Sequence, residues 1–164
     1  MRHLVSVLVE NKFGVLARIS TLFAARGLNI NSLSVNETED PTISQMTIVV
    51  NGEISILEQI TKQLNKLVDV IKVINFKDTG YIEKELALIK INTPKSSRAE
   101  LIKLASIFKG RIIDMTLDSI TVEIAAEQEK INSFIKMVLP YGIKEIFSIG
   151  IIALNKNTSL KQRI

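Results

Sequence analysis

Apolar and polar positions alternate through residues 3–10, with Val5, Val7 and Val9 on one face and Leu4, Ser6 and Leu8 on the other. A period of two predicts a strand. Asn11-Lys12-Phe13-Gly14 breaks that pattern, and Val15, Leu16, Ile19, Leu22 and Phe23 then recur at helical spacing. Gly27 stands where a helix of that length would stop. Residues 29–36, carrying Ile30, Leu33 and Val35, predict a second strand, and residues 37–41 form a turn cluster closed by Pro41. A third strand covers 43–50 and ends at Asn51-Gly52. Leu57, Ile60, Leu64 and Leu67 mark one stripe of a second helix, and residues 70–76 make a fourth strand.

The same succession then repeats. Lys77-Asp78-Thr79-Gly80 reads as a boundary. Residues 85–92 alternate as a strand. A loop with Pro94 follows, and Ser97 with Glu100 has the spacing of a capping box. Leu101, Leu104, Ala105 and Phe108 form a helical stripe ended by Lys109-Gly110. Strands are expected at 112–116 and 120–125. Ile131, Phe134, Ile135 and Val138 give another helix, stopped near Pro140 and Gly142. A final apolar strand lies within 144–154, and the polar tail 155–164 is expected to fray. The pattern predicts an α+β chain of two tandem ferredoxin-like βαββαβ units, residues 1–79 and 80–164. Domains of about 80 residues bury only ~60% of their unfolded surface. Their open sheet faces and edges need cover, so association with another chain is expected.

Composition narrows the chemistry. The chain has no cysteine, which removes disulfides, thiolate chemistry and zinc–sulfur sites. Its apolar runs fall well short of the ~20 residues of a membrane span. The N-terminus shows no signal-peptide pattern, so a soluble protein is expected; bacterial cytosol and plastid stroma would read alike. Net charge is +4, but the lysines are spread along the chain and concentrate only in the tail, which favours solvated surface over a polyanion site.

Catalytic constellations are missing from the sequence. His3 is the single histidine, so neither a histidine metal cluster nor a conventional triad can be assembled. There is no Gly-x-Ser-x-Gly elbow, no phosphate loop and no GxGxxG. Glu37 with Glu39 and Asp40, and Glu83 with Glu85, read as solvated surface acids. The RNA-recognition fold shares this element order, but it stacks bases on aromatic residues of its first and third strands. Here those strands hold no Phe, Tyr or Trp.

One junction remains. Asn11-x-x-Gly14 falls where the first strand passes into the first helix. A helix N-terminus offers unpaired N–H groups and partial positive charge, and Gly14 lets a carboxylate approach the backbone. Asn11 and Asn29 carry amides that donate and accept. With Val15, Leu16 and Ile30 they would suit a carboxylate, an ammonium and a small aliphatic side chain. On spacing alone the plainer reading leads: Asn11 caps the helix and Gly14 turns the chain.

The wider text is more specific. Leu4-Val5-Ser6-Val7-Leu8-Val9-Glu10-Asn11-Lys12-Phe13-Gly14-Val15-Leu16-Ala17-Arg18-Ile19 closely resembles the opening of ACT domains, and Gly27-Leu28-Asn29-Ile30-Asn31-Ser32-Leu33 resembles their second-strand entry. The stretch 57–73, Glu85-Leu86-Ala87-Leu88-Ile89-Lys90-Ile91 and Phe108-Lys109-Gly110-Arg111-Ile112-Ile113-Asp114 resemble the regulatory small subunits of acetohydroxyacid (acetolactate) synthase. The likeness spans nearly the whole chain.

That resemblance implies a regulatory chain that is not itself an enzyme. Its partner would be a separate catalytic large subunit, which carries thiamine diphosphate, magnesium and FAD and makes the first common precursors of valine, leucine and isoleucine. The small subunit would activate that partner and confer feedback inhibition, usually by valine bound where two ACT domains form a homodimer. The family's effector motif maps onto Asn11, Gly14, Val15, Leu16, Asn29 and Ile30. Ala17 replaces a serine found in some relatives. No cofactor, metal, nucleic acid or membrane is implied for this chain. The alternative is a stand-alone tandem-ACT sensor acting on transcription. The second unit has Lys95-Ser96-Ser97-Arg98 in place of the motif and is expected to serve contact with, or activation of, the catalytic subunit.

Overall fold

The structure is a computed structural model and describes residues 1–76 and 80–156. The first unit begins β1 (Arg2–Glu10), α1 (Val15–Ala24), β2 (Ile30–Glu37), β3 (Ile43–Asn51), α2 (Ile54–Leu64) and β4 (Val70–Asn75). Its strands order β2-β3-β1-β4, all neighbours antiparallel. The period-two pattern sets the register: Val5 pairs with Ile48 and Val7 with Met46, so these four share the face that α1 and α2 cover. Ile19 and Phe23 of α1 and Leu57, Ile60 and Leu64 of α2 complete that core. Each such fully buried side chain contributes about 1.5–3 kcal/mol.

Leu4 and Val49 pair across strands on the opposite face. A later strand of the chain covers them. β9 (Ile152–Asn155) brings Ala153, and Ile151 just before it, against Leu4, Val49 and Phe76. The Ile151 N–H donates to Ser32 Oγ at 3.0 Å, and Tyr81 stacks near Phe76 with ring centroids 5.1 Å apart. By compactness the first unit is therefore Met1–Ile82 together with the chain from Ile151, and the second is Glu83–Gly150. The boundary read at 77–80 falls mostly on residues outside the described ones.

The second unit holds most of β5 (Tyr81–Asn92), then α3 (Arg98–Ile107), β6 (Arg111–Met115), β7 (Ser119–Ala126), α4 (Gln128–Val138) and β8 (Ile143–Ser148). Along the order β6-β7-β5-β8 the sheet repeats the first, and β9 adds a fifth strand by pairing with β5. Ala87, Ile89, Ile91, Val122 and Ile124 face Leu101, Ala105, Ile131, Phe134 and Val138 from the helices. The chain is thus two ferredoxin-like α+β units, as the element order predicted.

Two local expectations fail. The Ser97–Glu100 capping box does not form: Ser97 has helical backbone angles, ends a 3₁₀ turn over Lys95–Ser97 and makes no side-chain cap. The last apolar stretch is two strands, β8 and β9, both paired with β5; the Ile149 N–H still donates to Leu86 O at 3.0 Å, and Ile151 and Ala153 then pack on the first unit's open face. α3 ends before Lys109-Gly110 as expected, and there the left-handed residue is Lys109, with φ 58°. Gly110 is needed for proximity instead, since a Cβ there would lie 2.8 Å from Val122 Cγ1. Of the tail 155–164, Asn155 closes β9 and Lys156 N–H bonds Gly80 O at 2.9 Å; residues 157–164 lie outside the described ones.

Candidate functional site

Three connections meet at the end of the first sheet where β1 runs into α1. The Glu10 N–H donates to Asp69 O in the α2–β4 turn at 2.9 Å, and the Asn11 N–H donates to Thr42 O in the β2–β3 hairpin at 2.7 Å. Arg18, one turn into α1, pairs with the nearly buried Asp69 at 3.1 Å. Lys12 lies 2.6 Å from Glu10, and that bond raises the Lys12 pKa.

Gly14 is the residue that starts α1. Its φ of 81° is left-handed, which glycine adopts without strain. The first bond within the helix runs from Arg18 N–H to Gly14 O, so helix geometry leaves the Leu16 and Ala17 N–H groups without intrahelical acceptors. The Val15 N–H makes only a long contact to Lys12 O, 3.4 Å. No side chain caps this terminus and its first turn has no acidic residue, so the partial positive charge of the helix end is uncompensated from within the helix.

Asn11 does not cap the helix. Its Nδ2 donates to Glu37 Oε1 and to Pro41 O, both at 2.9 Å, which ties the β1–α1 turn to the tip of the β2–β3 hairpin. That tip is itself ordered by Asp40, whose Oδ1 accepts from Thr42 N–H at 2.9 Å and from Thr42 Oγ1 at 2.7 Å. The Thr42 hydroxyl, then its N–H, hold the Asp40 carboxyl below the ordinary carboxylate range. Glu37 and Asp40 read from sequence as solvated surface acids and Pro41 as part of a turn; none of them, nor Thr42, is expected there at the site. The Thr38-x-Asp40-Pro41-Thr42 pattern, typical of side-chain-stabilised turns, was the available signal.

The remaining motif residues separate. Val15 points into the core and is only 3% exposed, so it presents its backbone; Leu16, 42% exposed, presents its side chain. Asn29 and Ile30 stand at the other end of the sheet. Ile30 pairs with Val50, which pairs with His3, whereas Glu37 and Ser44 lie beside Val9 near the Gly14 turn. The seven residue steps from Ile30 to Glu37 span about 24 Å. Within one chain, Asn11 and Gly14 come together and Asn29 and Ile30 do not join them.

The corresponding turn of the second unit is differently built. Arg98 Nη2 donates to Thr116 O at 3.0 Å and Leu117 O at 2.8 Å, and Lys144 bonds Asp118 at 2.6 Å. Lys144 and Thr116 lower the Asp118 pKa, and the bond that the Tyr141 hydroxyl donates to Glu100 raises that of Tyr141. Glu100 also places a carboxylate in the first turn of α3. Here the helix start is tied down by an arginine and carries a negative charge, unlike the Gly14 turn. Among the described residues there is no cluster of acidic or histidine side chains fit for a metal, and no helix is long and apolar enough to cross a membrane.

Comparison with known proteins covers both units. Residues 5–72 match the family described as the AHAS small subunit-like ACT domain, and residues 84–157 match the small subunit of acetolactate synthase. The acetolactate synthase small subunit of Aquifex aeolicus is 43% identical over 162 residues, covering 98% of this chain and 84% of that protein. The probable acetolactate synthase small subunit of Archaeoglobus fulgidus is 45% identical over 154 residues, covering 94% of this chain and 96% of that one. The crystal structure of the acetolactate synthase small subunit from Thermotoga maritima superposes with a TM-score of 0.86 at 38% identity, over 97% of this chain and 99% of its own. With a matching ACT unit, a matching second unit and likeness along the full length, the chain belongs to the acetolactate synthase small-subunit family, the regulatory subunits of branched-chain amino acid biosynthesis.

Proposed function

We propose that this chain is a non-catalytic subunit that activates the thiamine-diphosphate-dependent large subunit of acetolactate synthase and makes it sensitive to valine. Valine binds at the N-terminus of α1, in a site shared by the ACT domains, residues 1–79, of two copies of the chain. The observation that carries this reading is the register of β2. Asn29 and Ile30 lie a sheet length from Gly14 in their own chain, and β2 is an end strand in the sheet order. A two-fold axis through Ser34 would set the two β2 strands antiparallel, with Leu33 of one opposite Val35 of the other and, across the bulge at Asn31, Ile30 opposite Glu37. Asn29 and Ile30 of each copy would then meet the Asn11–Gly14 turn of its partner. The effector carboxylate sits against the Leu16 and Ala17 N–H groups, and Leu16 with Ile30 receives the isopropyl group. The second unit, with the exposed Leu117, Leu139 and Phe147, serves contact with the large subunit.

Gly14→Asp tests the site. A Cβ at Gly14 meets nothing within 4 Å; the φ of +81° strains any side chain, and aspartate is among those that bear it best, so the change costs backbone strain but no clash. The new carboxylate would face that of the effector. In acetolactate assays with purified large subunit, the variant is expected to activate like the unaltered chain and to lose valine inhibition. Inhibition unchanged by the substitution would overturn the site.

A further inference from the structure

We propose that Glu37 is a positioning residue of the effector site: by holding Asn11's amide nitrogen, it turns Asn11's oxygen toward the ligand and so selects for an ammonium group. The inference rests on the reading that an amino acid binds at the Gly14 turn, and it adds the direction in which that amino acid lies.

The argument is one of hydrogen-bond valence. An asparagine side chain has two N–H donors on nitrogen and an oxygen that only accepts. Both partners of Asn11 Nδ2, the Glu37 carboxylate and the Pro41 carbonyl, are acceptors that offer no proton. The amide orientation is therefore fixed by chemistry: reversing it would set Oδ1 against two other oxygens. With both N–H groups engaged, Asn11 has only acceptor capacity left for a ligand. Oδ1 attracts an ammonium and repels a carboxylate. The Glu37 charge beside it acts in the same sense. The carboxylate of the ligand is thereby directed to the other side of the turn, to the uncapped start of α1. Pro41 contributes through its backbone and no side-chain substitution removes it, whereas Glu37 is the adjustable member of the pair. It closes β2, so the end strand that faces a second copy also carries the group that orients Asn11.

The test is calorimetric titration of the full-length chain with valine, with 3-methylbutanoate, which lacks the ammonium, and with 2-methylpropylamine, which lacks the carboxylate. Glu37→Ala frees the Asn11 amide to rotate and is expected to weaken valine binding by about tenfold. It is also expected to narrow the preference for valine over 3-methylbutanoate. Glu37→Gln keeps an oxygen that accepts from Asn11 and is expected to stay within about threefold of the unaltered chain. Glu37→Lys offers only donors and is expected to lose as much as alanine or more. Glu37 is exposed, so thermal unfolding of the variants should match the unaltered chain, which separates orientation from folding. Two results would overturn the inference: valine affinity unchanged in Glu37→Ala, or an equal loss in the alanine and glutamine variants, which would assign the effect to charge alone. Gly14→Asp is run in parallel. If it still binds valine, the site reading itself fails; if it does not while Glu37→Ala binds normally, only the role of Glu37 fails.

Discussion

Asp40 touches no proposed ligand position, yet it holds the side of the site that Asn11 leans on. Its Oδ1 accepts two bonds from Thr42, while Thr42 O and Pro41 O accept the two backbone and side-chain bonds of Asn11. Both Thr42 bonds favour the ionised carboxyl, so its pKa in the folded chain is depressed. A depressed folded value contributes stability that is complete above the ordinary aspartate value of about 4 and is lost as pH falls through the lower, folded one. Order at the hairpin tip should therefore persist at neutral pH and decay only in acid. Asp40→Ala is expected to produce that decay at pH 7, with faster amide exchange at Thr42 and Asn11 and valine affinity reduced by about two- to fivefold. Equal exchange protection at Thr42 in both proteins would show that the tip is held by other means. Asn11 illustrates what a sequence conceals at this scale. Its residue type and its place before a helix fit a cap as well as a ligand contact. Its actual partners lie 26 and 30 residues away, on a hairpin that reaches it only once β3 has paired with β1.

Among the elements, legibility followed periodicity. β1 and α2 carry clean patterns, and the structure buries Val5, Val7 and Val9, with Leu57, Ile60 and Leu64, in one core. Legibility fell where an apolar run served two environments, and a helix end read correctly can still hide which of two residues does what. Residues 144–154 read as one strand because β8 and β9 are both apolar and both pair with β5, and nothing local says that the chain passes from the second unit to the first after Gly150. At the end of α3, glycine in a Lys109-Gly110 pair suggests the left-handed cap, yet Lys109 takes that conformation and Gly110 packs against Val122 and the carbonyls of Ala105 and Glu123. The two roles predict opposite results. Lys109→Gly should relieve the left-handed strain and stabilise the second unit by about 1 kcal/mol. Gly110→Ala should push into Val122 and destabilise it by about 1–3 kcal/mol. Denaturant midpoints measure both, and the reverse pair of signs would mean that glycine is the cap after all.

For the whole molecule, the two sheets have the same strand order but differently built helix starts, so duplication of the fold has not duplicated the site. The first unit keeps its open face covered by Ile151 and Ala153 and leaves β2 at the end of its sheet. An effector site divided between Gly14 of one copy and Asn29 of another has a thermodynamic consequence that a site within one chain lacks. A lone chain holds only half of the contacts, so valine must favour the paired state, and pairing must favour valine by the same factor. Coupling between sites is commonly about 5–150-fold, which sets the size of the effect to seek. Saturating valine should tighten self-association of the chain within that range, and dilution below the dissociation constant of the pair should weaken apparent valine affinity. Sedimentation equilibrium with and without valine measures the first, and titration at stepped protein concentrations measures the second. Gly14→Asp should still associate, but without a response to valine, since its β2 register is untouched. Self-association that is the same with and without saturating valine would place every necessary contact within one chain, and the span of β2 between Ile30 and Glu37 would then count against Asn29 as a ligand.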